Sequence, residues 1–112
     1  MKAYFLILIL SVVGSPTLAT ASPDLDIPLP TMIDRLVIDS RQGDAFLSME
    51  TNSEPCPGGY FVAKSHPGYD GLLSMLLAAY QAHTPIIVSA YPDSLWPASR
   101  QTVCELHSVT YP

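Results

Sequence analysis

With 112 residues, and five Lys and Arg against ten Asp and Glu, the chain reads as a single small domain of formal charge −5. That sign excludes nucleic acid as a favoured partner, because such binding rests on neutralising phosphates with Lys and Arg, and it disfavours anionic membrane surfaces for the same reason. A domain of this size buries only about 60–65% of its unfolded surface, so its core is marginal and a covalent staple helps.

The chain opens as an export leader, residues 1–21. Lys2 is the positive end, residues 4–13 are apolar, and residues 14–16 break the run. Ala19 and Ala21 place small residues at −3 and −1, which predicts cleavage between Ala21 and Ser22. An apolar run of this length cannot span a bilayer, which needs about 20 residues. No cysteine follows the cleavage point, so no lipid anchor and no membrane association are expected once the leader is removed. The expected location is the periplasm or the external medium. The mature chain keeps four basic residues against all ten acidic ones.

Residues 22–31 form an extended arm in which Pro23, Pro28 and Pro30 deny ladder donors. Residues 32–112 form the folded domain. The first strand is predicted over 32–40, followed by a turn at Arg41-Gln42-Gly43, where Gly43 can take the positive φ of a tight hairpin. The second strand covers 45–51, with Ala45, Leu47 and Met49 facing one way and Phe46, Ser48 and Glu50 the other. A Pro- and Gly-rich loop at 52–59 leads to a third strand at 60–65.

His66-Pro67-Gly68 turns the chain into a helix over 67–82, with Pro67 suited to the first helical position and Asp70 to the positive end of the dipole. Tyr69, Leu72, Leu73, Met75, Leu76, Leu77, Ala79 and Tyr80 cover an arc of roughly 200°, about twice what a surface helix needs. The surplus is explained by deep burial in the open end of a barrel, or by a neighbouring subunit. A fourth strand follows at 86–91, a loop at 92–99, and a fifth strand at 100–111. The order β-β-β-α-β-β is that of a five-stranded Greek-key barrel of the oligosaccharide/oligonucleotide-binding (OB) type, mainly β with one helix.

Cys56 and Cys104 are the only cysteines, 48 positions apart and without a CxxC spacing. In an exported chain a structural disulfide is favoured over a nucleophile or a metal pair. His66, His83 and His107 share no HxH or HxxxH spacing, so no metal and no cofactor are expected. No G-x-S-x-G elbow, carboxylate pair or phosphate cradle is present, so no catalytic residue is assigned and the chain reads as a non-enzyme. A Ser–His pair at hydrogen-bonding distance, from Ser94 or Ser108, would instead mark a small hydrolase.

Binding is better supported. Tyr91, Asp93, Ser94 and Trp96, in the loop between strands four and five, combine flat rings with short polar groups, the mixture a sugar needs. OB barrels use this loop for oligosaccharides. The alternative for Trp96 and Tyr91 is that they close the barrel end as core. A protein ligand is the competing partner, and an apolar outer patch from Leu25, Ile27, Leu29 or the helix would distinguish it.

Tyr60-Phe61-Val62, Ser65-His66-Pro67-Gly68-Tyr69, the run from Leu72 to Ala79, and Pro85-Ile86-Ile87-Val88 are similar to small exported bacterial OB-fold proteins. Over about residues 60–104 the chain also distantly resembles the B subunits of subtilase-type AB5 toxins. That resemblance implies glycan binding at a cell surface and a homopentamer. It carries over no individual sugar-contacting residue.

Overall fold

The computed structural model describes residues 24–97 and 99–112; the predicted leader and its cleavage site lie outside them. The strands are β1 (Ile33–Ile38), β2 (Ala45–Met49), β3 (Gly59–Val62), β4 (Ile87–Leu95) and β5 (Val103–Thr110), with helix α1 (Tyr69–Ala82) between β3 and β4. They build one five-stranded sheet in the order β1-β2-β3-β5-β4. Neighbours are antiparallel except β3 and β5, which run parallel.

The sheet is open, since no ladder joins β1 to β4 among the described residues. The N-terminal arm crosses that gap. Asp26 exchanges both backbone hydrogen bonds with Ala90, at 2.9 and 3.0 Å, and Thr31 does so with Ile86, both at 3.0 Å. Between these bridges Pro28 and Pro30 have no N–H to donate, so the contact is two separate pairs rather than a continuous strand.

The β1–β2 connection follows from Asp39 and Gly43. The Asp39 carboxylate accepts from the N–H groups of Arg41 and Gln42, and Gly43 takes φ +76°. In β2 the expected alternation holds: Ala45, Leu47 and Met49 are buried while Phe46 and Ser48 are half-buried. In β5 the expected strict alternation fails. Ser108 pairs with Ser89 and Leu106 with Ala90, leaving His107 as a bulge residue. The extra residue shifts the inward phase, so Cys104, Leu106 and Val109 are all buried.

The helix begins at Tyr69, two residues later than the sequence predicts. Gly68 is its N-cap, and Pro67 lies outside, where the His66 Nδ1 accepts from the Gly68 N–H at 3.0 Å. Only Tyr69, Leu76 and Ala79 are buried, flanked by half-buried Leu72, Leu73, Met75 and Tyr80. Leu77 remains 45% exposed, so the broad apolar arc is not wholly used within one chain. His83 ends the helix in the left-handed region at φ 49°. The Tyr111 hydroxyl donates to the Met75 carbonyl at 2.6 Å, tying the end of the chain to the helix.

Cys56 and Cys104 form a disulfide with Cα atoms 5.6 Å apart. It joins the loop before β3 to β5, and both cysteines are fully buried.

Candidate functional site

Side chains alternate across a strand, so register decides which residues share a face. Leu36, Leu47, Tyr60 and Cys104 are cross-strand neighbours on the core face. One position along, Val37, Phe46, Phe61, Glu105 and Tyr91 form a row across all five strands on the outer face. The candidate site is built on this row.

At its β2–β3 end the row is covered by Trp96. The Trp96 N–H donates to the Val103 carbonyl at 2.9 Å, folding the β4–β5 connection back over the sheet. Its indole stacks on Phe46 and Phe61, with centroids 5.9 and 6.0 Å away and planes within 22°. The indole Nε1–H donates to the Asp44 carboxylate at 3.4 Å, and the other oxygen of Asp44 accepts from the Lys64 N–H at 2.9 Å. A buried carboxylate needs such donors. This layer explains why every residue of β3 is buried, including the outward-facing Phe61. Trp96→Ala is expected to cost about 2 kcal/mol, from two lost stacks and an orphaned Asp44 oxygen. Urea unfolding checks it, and an unchanged midpoint would mean that the indole is not part of the packing.

At the β4–β5 end of the row a surface cleft of about 420 Å³ opens, lined by Tyr91, Pro92, Asp93 and Ser94 together with Asp24, His66 and Glu105. Here β4 runs further than the sequence predicts, through Pro92 to Leu95. The register breaks between Tyr91 and Leu95, and that irregularity accommodates the missing donor of Pro92. The Ser94 hydroxyl donates to Glu105 Oε2 at 2.6 Å, a charge-assisted bond that fixes both groups in the cleft wall. The Tyr91 ring is held edge-on to His107, with centroids 5.2 Å apart. Because His66 Nδ1 already accepts from Gly68, the neutral ring carries its proton on Nε2 and is a donor there.

The structure thus brings Tyr91, Asp93 and Ser94 together and leaves Trp96 outside, in the adjacent aromatic layer. Sequence reasoning missed Glu105, His66 and Asp24. Glu105 was legible as outward-facing on the fifth strand, but only the β4–β5 register sets it against Tyr91 and Ser94. Nothing in the sequence signals His66 as a cleft residue, since its part in starting the helix accounts for it.

Among the described residues no three His, Cys, Asp or Glu side chains come close enough to hold a metal ion. Ser108 Oγ and His107 Nδ1 are 2.9 Å apart, the distance a hydrolase would need. They are sequence neighbours at the exposed bulge, outside the cleft, and among the described residues no carboxylate is hydrogen-bonded to that ring. A triad also needs a third group that orients the base. Ser94 donates to a carboxylate rather than to a histidine.

Fold and cleft together define a small, disulfide-linked, mainly β domain with a polar and aromatic surface cleft. No protein-family model and no curated protein matches the chain. Among the described residues no helix is long and apolar enough to cross a membrane.

Proposed function

We propose that this chain is an exported, non-catalytic binding module of OB-like barrel type whose ligand is a glycan. The observation that carries the reading is the cleft itself. It gathers the Tyr91 ring, the Ser94–Glu105 pair and the Asp93 carboxylate within one volume of about 420 Å³. Sugar C–H faces pack on a ring while hydroxyls bond to carboxylates. The strand order β1-β2-β3-β5-β4, a parallel β3–β5 pair and a helix between β3 and β4 support the OB-like assignment, with the arm bridges standing where a barrel would close. The buried disulfide and the leader in the sequence support export.

Tyr91→Ala is expected to weaken glycan binding by roughly tenfold or more while lowering the melting temperature by only about 4–8 °C, the cost of its single edge-on contact with His107. Calorimetry against neutral, acidic and amino oligosaccharides checks it. Failure of all three classes to bind would end the glycan reading. Ring assembly goes with the toxin-like form of this proposal, and exposed Leu77 is the helix residue available to a neighbouring subunit.

One observation favours a protein ligand instead. Ile27 and Leu29 on the arm are 63% and 85% exposed, an apolar pair of the kind that marks interaction surfaces. A partner whose capture survives Tyr91→Ala and is lost on Leu29→Asp would establish that alternative.

A further inference from the structure

We infer that the N-terminal arm is a strap guarding the Cys56–Cys104 disulfide, and that the Asp26 carboxylate turns away thiols that carry negative charge. Asp26 is where the arm meets both β4 and the disulfide. Its backbone exchanges hydrogen bonds with Ala90 at 2.9 and 3.0 Å. Its carboxylate oxygen Oδ2 rests 3.9 Å from Cys56 Sγ, a contact rather than a hydrogen bond, since a disulfide sulfur has no proton to give. The other sulfur, Cys104 Sγ, lies 3.7 Å from the Pro55 carbonyl oxygen. Both cysteines are fully buried, so neither sulfur is reached unless something moves.

Pro55 belongs to the loop that the disulfide itself ties to β5, so its cover is fixed by the bond it covers. The arm is easier to lift. Beyond Asp26 come the exposed Ile27 and Leu29, and Pro28 and Pro30, which have no N–H to donate. The next backbone anchor is Thr31. A segment with few buried contacts opens locally at far less cost than the whole domain. Opening of the arm takes Asp26 off Cys56 and makes that sulfur the point of attack. An external thiolate then bonds to Cys56 Sγ as the S–S bond breaks, and the electron pair leaves on Cys104 as a thiolate. A second external thiolate displaces Cys56 from the mixed disulfide. Both cysteines end reduced, and the two external thiols end joined as a disulfide. The attacking sulfur is an anion, and a carboxylate on the same molecule adds a second charge for Asp26 to repel. The guard is therefore strongest against carboxylate-bearing thiols and weakest against those carrying an ammonium group.

The test is the rate at which the oxidised chain is reduced by mercaptopropionate, which bears a carboxylate, and by cysteamine, which bears an ammonium group. Each rate is divided by the rate on the urea-unfolded chain, where the same sulfurs are met without the fold. In the unaltered chain the normalised rate should be at least about fivefold lower for mercaptopropionate than for cysteamine. D26N, which keeps the side-chain shape, should raise the mercaptopropionate rate about fivefold and leave the cysteamine rate within about twofold. D26P also deletes the N–H bonded to Ala90, and should speed both thiols by about a further fivefold. E54Q removes an exposed charge close to Cys56 in sequence and should leave both rates as in the unaltered chain. Equal normalised rates in the unaltered chain overturn the guard, whether or not the variants fold. So does a D26N effect equal for both thiols, or one that E54Q reproduces, since lost stability or the general field of an acidic chain would then account for it. D26P no faster than D26N overturns the strap, because the anchor at Ala90 would then not limit access.

Discussion

Replacing Cys56 and Cys104 together by alanine is expected to lower the unfolding free energy by about 4 kcal/mol. The bond closes a 48-residue separation, and in the chain-entropy account its largest effect is to restrict the unfolded chain. Its position adds a local reason. It spans the β3–β5 boundary, where the parallel ladder has just three registered pairs, Gly59–Val103, Tyr60–Cys104 and Phe61–Glu105. A short parallel ladder between segments distant in sequence has little of its own to resist opening. Single domains hold only about 5–15 kcal/mol in all, so this loss removes a large share of the margin. Urea titrations with and without reductant check it on the unaltered chain. A midpoint indifferent to reductant would show that the core holds β3 against β5 unaided.

Gly59→Ala is expected to cost on the order of 3 kcal/mol or more, for two separate reasons. Gly59 has φ +106°, where a side chain is strained whatever the space around it. A Cβ there would also collide with the Leu47 carbonyl oxygen on β2, which is backbone and cannot step aside. Relief requires β3 to move away from β2 and disturbs Phe46, whose ring lies 3.4 Å from the same point. Damage would therefore spread into the Trp96 stack. Gly71 is the contrast: it sits on the exposed side of α1 with nothing within 4 Å, so Gly71→Ala should stabilise by about 1 kcal/mol. Thermal melts of the two variants side by side test both statements. Similar melting temperatures would mean that β2 and β3 can separate at Leu47 without loss of stability.

What could be read from the residues was what depends on near neighbours. The Gly43 turn, the alternation of Ala45, Leu47 and Met49, and the single helix all follow from local pattern, and the element order held. The Cys56–Cys104 pairing followed from there being no other cysteine to choose. What escaped depends on register. A bulge at His107 cannot be seen in β5 alone, because it is defined by Ser89 and Ala90 opposite. Nor can the extension of β4 through Pro92 be read locally, since proline signals a break. The cleft has the same origin. Tyr91, Asp93 and Ser94 are close in sequence, but Glu105, His66 and Asp24 reach them through three different parts of the fold. The composition of Trp96 with its neighbours suggested a ligand ring, while its stack on Phe46 and Phe61 depends on two strands pairing some 35 to 50 residues upstream.

The arm bridges have a consequence for the order in which the molecule can be completed. Asp26 and Thr31 stand at the start of the described chain, and their partners Ala90 and Ile86 come some sixty residues later. β3 likewise waits for β5, made some forty residues later. A chain emerging N-terminus first can form the local β1–β2 hairpin at once, but the pairings of the arm with Ile86 and Ala90 and of β3 with β5 become available only once those later segments have been made. Such distant pairings pay their loop-closure entropy before any contact rewards it, which places folding toward the millisecond-to-second range. Until then the edges of β3 and β4 stand unpaired, and an incomplete chain presents them to any strand nearby.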